Sequence, residues 1–137
     1  MQLSGYSGTP LIKKLGIKQG FKISIINTPE YYFNLLTGLP DQIEIVNDPI
    51  SKKDFIHFFV KEEAELLKIS VLKNQIKSNG MIWISWPKKS SKVKTNITED
   101  TIRKIALENG LVDIKVCAIN EVWSGLKLVM PVKERKL

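Results

Sequence analysis

Cysteine and histidine are almost absent from this sequence of 137 residues: Cys117 is the only cysteine and His57 the only histidine. A disulfide framework and a zinc cluster built on cysteines are therefore excluded. His57 lies within an apolar run, which predicts a core residue rather than a metal ligand or part of a catalytic triad. Cys117 lies within a predicted strand, where burial is more common than nucleophilic chemistry. We predict no catalytic residue and no metal site.

Long apolar runs are also absent. The stretch of residues 55–60 is among the longest, and it is far shorter than a membrane-spanning helix requires. Residues 1–6 lack the charged start and the apolar core of a signal peptide. These features predict a cytoplasmic protein that does not associate with a membrane.

Acidic residues and arginine are scarce relative to lysine. The chain has 21 basic and 14 acidic residues, a net charge of +7, and its only arginines are Arg103 and Arg135. Excess positive charge favours association with nucleic acid or an acidic partner. Arginine, however, is the residue best suited to bidentate recognition of phosphates and bases. The composition fits either a lysine-rich solvated surface or a polyanion site, and it argues against strong nucleic-acid binding.

The length and the 43% content of hydrophobic residues suit one domain over residues 1–137, with a short N-terminal helical segment in residues 1–17 and a sheet domain in residues 18–132. Thr9, Thr28 and Thr98 are predicted helix caps, and Gly16 a helix end. The predicted helices cover residues 10–16, 29–37, 61–78 and 98–109, and the predicted strands cover residues 21–27, 43–46, 55–60, 81–86, 112–119 and 126–132.

Strands that alternate with helices predict an α/β fold, a three-layer Rossmann-like arrangement with a mostly parallel sheet. The apolar strands 21–27 and 55–60 are expected to be adjacent and parallel in the centre of the sheet. The loop between strands 112–119 and 126–132 is too short for a crossover, so this pair should be an antiparallel hairpin. This order resembles the class I methyltransferase fold, with one strand and one helix missing between Val46 and Phe55.

Four segments carry a more specific likeness: Gly5-Tyr6-Ser7-Gly8-Thr9-Pro10-Leu11-Ile12-Lys13-Lys14-Leu15-Gly16-Ile17, Trp83-Ile84-Ser85-Trp86-Pro87-Lys88, residues 110–118, and Trp123-Ser124-Gly125-Leu126-Lys127. Together they resemble a widespread bacterial family of small uncharacterised proteins, a domain of unknown function. Where that family often has glycine and alanine before Pro29, this chain has Asn27 and Thr28. The resemblance implies a fold and no particular activity.

The loop after the first strand argues against a cofactor. Sites for dinucleotides and S-adenosylmethionine (SAM) need glycine there, so that the backbone can approach the ligand. Residues 27–31 contain no glycine, and instead have Pro29, Glu30 and the bulky Tyr31. Asp48, which follows the second strand, could bind a ribose, or it could belong to a plain turn. We therefore predict no cofactor and no useful SAM binding.

The loop after the fourth strand is the strongest candidate for a binding surface. It begins at the carboxyl end of a strand, where binding residues are common. The candidate ligand or anion surface consists of Trp86, Lys88, Lys89, Lys92, Lys94, Trp123 and Ser124. The two tryptophans could line one pocket or stack on a base. Alternatively, both tryptophans are buried side chains that cover the core, and the lysines belong to a solvated loop.

These observations predict a non-catalytic binding or interaction module with a methyltransferase-like fold. Two alternatives stay open. One is a nucleic-acid or nucleotide binder that uses the loop of residues 88–94, called the lysine loop below. The other is a divergent methyltransferase.

Overall fold

The computed structural model describes residues 9–135, which form one six-stranded sheet with helices on both faces. The strands are β1 Lys22–Ile26, β2 Glu44–Ile45, β3 Lys53–Phe59, β4 Ile76–Pro87, β5 Val112–Ala118 and β6 Trp123–Val129. The α-helices are α1 Leu11–Leu15, α2 Tyr32–Leu35, α3 Ile69–Lys73 and α4 Glu99–Glu108. Across the sheet, the strands follow the order β2-β1-β3-β4-β6-β5. Short 3-10 helices cover Glu63–Lys68, Lys89–Ser91 and Val132–Glu134. Residues 1–8, where the N-terminal motif begins, lie outside the described residues.

The predicted centre of the sheet is confirmed. β1 pairs in parallel with β3, with Ile23 opposite Phe55, and β3 pairs in parallel with β4. Side chains on both faces of β3 are buried, because helices cover the sheet on either side. The three-layer architecture predicted from the order of elements is therefore present.

The predicted antiparallel hairpin is also confirmed, although β6 begins at Trp123 rather than at residue 126. β6 also pairs antiparallel with β4, so β5 lies at one edge of the sheet and β2 at the other. The β5–β6 register shifts between Asp113 and Lys115, which leaves Ile114 as the extra residue of a β-bulge.

The predicted helix over residues 61–78 is wrong at its end, from residue 74 onwards. The chain instead forms the 3-10 helix Glu63–Lys68 and then α3, and β4 already begins at Ile76. Ile76 is buried and lies opposite Lys53 in the sheet. Gly80, predicted to follow the end of the helix, lies within β4, where a Cβ atom would be only 2.9 Å from the carbonyl oxygen of Lys53. Long-range strand pairing overrides the local helical pattern here.

The predicted caps are correct at only one of three helices. The Thr98 hydroxyl accepts a hydrogen bond from the backbone N–H of Thr101. Pro10 and Tyr31, rather than Thr9 and Thr28, occupy the N-cap positions of α1 and α2, and neither cap is a side-chain hydrogen bond. Gly16 ends α1 with a φ of 82°, as predicted.

No helix within residues 9–135 is long and apolar enough to cross a bilayer. The connection from β2 to β3 contains no helix, in agreement with the element predicted to be missing there. Three apolar side chains near this region are exposed: Ile50, Leu67 and Val71.

Candidate functional site

The carboxyl ends of β1 and β3 border a pocket at the topological switch point. β1 leads to β2 on one side, and the chain then crosses back to β3 on the other side. Ligands of open α/β sheets bind at this position. The switch-point pocket has a volume of about 380 Å³ and is lined by Asn27, Thr28, Pro29, Phe59, Lys61, Glu65 and Trp123.

Asn27 gives the first loop a left-handed turn without glycine. Its φ is 58°, a conformation that asparagine tolerates better than most residues. The loop after the first strand thus contains a positive φ although it contains no glycine. The Asn27 side chain donates a hydrogen bond of 3.4 Å to Glu65, which links the loop after β1 to the 3-10 helix after β3.

Glu65 is the carboxylate of the pocket. Its Oε1 atom accepts hydrogen bonds from the backbone N–H groups of Lys61, at 2.9 Å, and Glu62, at 3.0 Å. Glu30, the carboxylate of the loop after the first strand, is exposed and is not part of the lining. Glu62 and Glu65 have capping-box spacing, and that signal could have identified the fixed position of Glu65.

Trp123 forms the aromatic wall of the pocket together with Phe59. Their rings meet edge to face with centroids 4.9 Å apart. The indole N–H of Trp123 donates to the hydroxyl of Tyr31 at 3.1 Å, and the side chain of Asn120 donates to the same hydroxyl at 3.2 Å. These contacts fix the Trp123 ring, so the wall is rigid before any ligand arrives.

The two tryptophans of the predicted surface lie on opposite faces of the sheet. In the β4–β6 pairing Trp86 is opposite Ser124, whereas Trp123 is opposite Pro87. Directly opposed side chains share a face, and consecutive residues alternate between faces. The hypothesis that Trp86 and Trp123 line one pocket is therefore wrong. Both side chains are largely buried, each in a different half of the core.

The lysine loop projects its charges into solvent. Lys89, Lys92 and Lys94 are exposed and Lys88 is half-buried. A second, open pocket of about 650 Å³ lies beside this loop and is lined by Trp86, Pro87, Lys89 and residues 95–100. Glu99 and Asp100, at the start of α4, both form ion pairs with Arg103. Arg103 also binds Asp113 on β5, and this contact lowers the pKa of the Asp113 carboxyl.

A hydrogen-bonded chain of three side chains crosses the core beneath the switch-point pocket. The Nδ1 atom of His57 is 2.9 Å from the Tyr32 hydroxyl, and its Nε2 atom is 2.7 Å from the Ser85 hydroxyl. All three residues are buried. Burial lowers the pKa of His57 to about 3 and raises the pKa of Tyr32 well above its ordinary value. The imidazole is neutral at physiological pH and belongs to the core, as the apolar run predicted.

Asp48 belongs to a turn. Its carboxylate accepts hydrogen bonds from the backbone N–H and hydroxyl of Ser51 and from the N–H of Ile50, and the contacts with Ser51 lower its pKa. It does not line the switch-point pocket. Cys117 is half-buried, and burial raises the pKa of its thiol. Within residues 9–135, no group of three or more histidine, cysteine, aspartate or glutamate residues is arranged to hold a metal ion.

This arrangement of strands and helices is that of the SAM-dependent methyltransferases. A SAM-dependent methyltransferase from Aquifex aeolicus superposes with a TM-score of 0.61 at 16% identity, over 86% of each chain. The DhpI–SAH complex gives a TM-score of 0.62 at 9% identity, over 90% of this chain and 83% of DhpI. The magnesium protoporphyrin IX methyltransferase of Synechocystis PCC 6803, with bound SAM, gives a TM-score of 0.56 at 13% identity, over 88% of this chain and 74% of the methyltransferase.

At these identities the similarity establishes the methyltransferase-like fold and nothing about activity. No protein-family model matches the sequence, and no curated protein matches it significantly. The resemblance to the bacterial family of small proteins therefore stays a prediction.

Proposed function

We propose that this protein is a non-catalytic binding module, and that it binds a small ligand in the switch-point pocket without using SAM. The contact between Asn27 and Glu65 carries this proposal. It spans the two loops at the position where a cofactor of this fold class would lie against the first loop. The pocket lining thus includes a carboxylate and an amide that contact each other.

The dimensions and lining of the pocket support a ligand smaller than SAM. Its volume of about 380 Å³ is near the lower end of the range for small-molecule sites, about 300–1,000 Å³. Pro29 contributes no N–H donor to the wall. Asp48, the residue considered for a ribose, uses its carboxylate within its own turn. The ligand that fits best is a small molecule with a hydrogen-bond donor for Glu65 and an apolar part for Phe59 and Trp123.

The contacts of His57 support a role other than acid–base catalysis. General acid–base chemistry needs a titratable group within reach of the substrate. Both ring nitrogens of the single imidazole contact hydroxyl groups inside the core. Lys61 and Glu65 are the charged groups of the pocket, and Glu65 is engaged by three donors.

The test is a titration of the full chain, with SAM by calorimetry and with small amines and amides by ligand-observed NMR. We expect SAM to bind with a dissociation constant weaker than about 100 μM. At least one small amine or amide should bind, and E65Q should weaken it, since the carboxylate accepts its hydrogen bond. E63Q is the matched control, because Glu63 lies on the same 3-10 helix outside the pocket lining.

Two results would contradict this proposal. A dissociation constant for SAM in the low micromolar range, about −8 kcal/mol, would favour a divergent methyltransferase. Small-molecule binding that responds equally to E65Q and E63Q would remove the switch-point pocket as the site.

A second candidate function is polyanion binding at the lysine loop. Glu99 and Asp100 at the start of α4 would weaken an anion site, and their ion pairs with Arg103 offset one of these two negative charges. The four lysines of the loop still outnumber these carboxylates. An RNA strand or an acidic protein segment fits this surface in charge.

Replacing Lys88, Lys89, Lys92 and Lys94 with alanine tests this candidate. If each lysine contacts one phosphate of single-stranded RNA, the slope of log K against log salt should flatten by about 3. Folding should change little, since exposed substitutions usually cost less than about 0.5 kcal/mol. Fluorescence anisotropy at several salt concentrations measures the slope, and thermal unfolding provides the control. Unchanged RNA affinity and slope would remove this candidate.

A further inference from the structure

A second group of lysines lies on the α1 face of the sheet, towards the amino ends of the parallel strands. We call Lys18, Lys115 and Lys127 the lysine cluster. Lys127 on β6 is opposite Trp83 on β4, and the Trp83 indole donates a hydrogen bond of 3.0 Å to the backbone oxygen of Leu15 in α1. The end of α1 therefore lies directly over this part of the sheet. The cluster is separate from both the switch-point pocket and the lysine loop.

The β-bulge at Ile114 brings Lys115 to the same face as Lys127. Asp113 lies opposite Leu128, and after the extra residue Lys115 lies opposite Lys127. In a regular ladder, Ile114 would occupy the position opposite Lys127. A bulge commonly redirects a side chain next to a functional site. The result is a directly opposed pair of like charges, which destabilises a sheet.

The surroundings add positive charge to this pair. The pKa of Lys127 is lowered by partial burial and, next, by the charges of Lys115 and Lys18. The Lys115 ammonium donates to the backbone oxygen of Lys14 at 3.0 Å, which holds it against the end of α1. Within residues 9–135, the ion pairs involve Lys77 and Arg103, and no carboxylate pairs with Lys18, Lys115 or Lys127.

Gly16, at the end of α1, lies next to the Lys127 ammonium. A Cβ atom at position 16 would lie 3.6 Å from the Nζ atom of Lys127, and the φ of 82° there disfavours any side chain. The Lys127 ammonium therefore lies at the end of α1. Lys115 is opposite Lys127, and the charges of Lys115 and Lys18 both act on Lys127, so these three ammonium groups lie in one region of the surface.

We propose that the lysine cluster binds a compact anion with several phosphate charges, such as an oligophosphate. Such an anion would neutralise a like-charge group that the fold otherwise holds together at a cost in stability. Converging ammonium groups match a compact oligophosphate better than an extended nucleic-acid backbone, which needs phosphate contacts along its length. This site is independent of the proposed ligand in the switch-point pocket.

Calorimetric titration with tripolyphosphate at constant ionic strength tests the proposal. The wild-type chain should bind, and the double variant K115Q/K127Q should lose about tenfold or more in affinity, because it removes two charge-assisted contacts. K92Q/K94Q is the matched control: it removes the same charge from the exposed lysine loop and should retain wild-type affinity. In phosphate-free buffer, K115Q/K127Q should melt at or above the wild-type temperature, because it removes the opposed charges.

Titrations with ATP and with a short single-stranded RNA distinguish the sources of phosphate. We expect ATP to compete with tripolyphosphate, and we expect the affinity for ATP to depend on Lys115 and Lys127 in the same way as the affinity for tripolyphosphate. Equal losses of tripolyphosphate affinity in the two double variants would show general attraction to a basic protein and would overturn the proposal. RNA binding lost in K115Q/K127Q, with tripolyphosphate binding unchanged, would overturn it in favour of a nucleic-acid surface.

Discussion

The variant H57A is expected to lower the free energy of unfolding by about 3–5 kcal/mol. His57 is fully buried between its neighbours, and its ring stacks on Phe59 with centroids 4.4 Å apart. Alanine would leave a cavity and would also remove the partner of both the Tyr32 and the Ser85 hydroxyl groups. Urea denaturation followed by tryptophan fluorescence measures the loss. A loss below about 1 kcal/mol would show that the hydrogen bonds of His57 with Tyr32 and Ser85 contribute little to stability.

The variants Y32F and S85A are the controls for H57A. Each removes one hydroxyl and leaves the imidazole in place, so each should cost about 1–3 kcal/mol, less than H57A. The free-energy changes of the three residues should not be additive, because they form one network.

The same residue predicts how stability depends on pH. The pKa of His57 is about 3 in the fold, below its value of 6.5 in the unfolded chain. The unfolded chain therefore binds the extra proton first, and stability present above pH 6.5 is lost as the pH falls towards 3. Between pH 6.5 and pH 5 the loss should be about 2 kcal/mol, at about 1.4 kcal/mol per pH unit. H57F should abolish most of this slope, since no other histidine is present.

The variant W83A is expected to cost about 3–5 kcal/mol. The Trp83 side chain is fully buried, and its indole N–H donates to the backbone oxygen of Leu15. The substitution would leave a large cavity and an unsatisfied carbonyl, and it would detach α1 from the sheet. Because the end of α1 packs on the sheet beside the lysine cluster, W83F should weaken tripolyphosphate binding while the sheet stays folded. Chemical denaturation and calorimetry measure the two effects.

W123F is the matched control for W83F. Trp123 is also largely buried with a bonded indole N–H, but its partner is the hydroxyl of Tyr31, a residue that is 38% exposed, so this hydroxyl can bind water instead. The loss of that hydrogen bond should cost less than the loss of the bond to Leu15. An equal or larger cost for W123F would contradict the role assigned to the contact between α1 and the sheet.

The general class of fold follows from local patterns. The apolar run around His57 requires cover on both faces, and helical segments before and after it supply that cover. The short loop before Trp123 allows only an antiparallel return. The cap at Thr98 depends on one hydrogen bond within four residues, so it too can be identified from the sequence.

The helix over residues 61–78 failed as a prediction because its competitor is distant in sequence. Ile76 fits the apolar stripe of a helix, but it also fits a strand that pairs with β3, where Lys53 lies opposite it. Pairing with a distant strand buries Ile76 and outweighs the helical preference of this segment. No local pattern contains that information.

The sequence by itself determined the α/β class, the central pair of strands, the terminal hairpin and the core position of His57, because each depends on periodicity or on a short connection. Only the tertiary structure decided the sites. It separated Trp86 from Trp123 by the alternation of side chains and placed Glu65 beside Asn27. It also brought Lys115 to Lys127 through a bulge. These juxtapositions depend on strand register and crossover geometry, which arise from contacts between residues far apart in the chain.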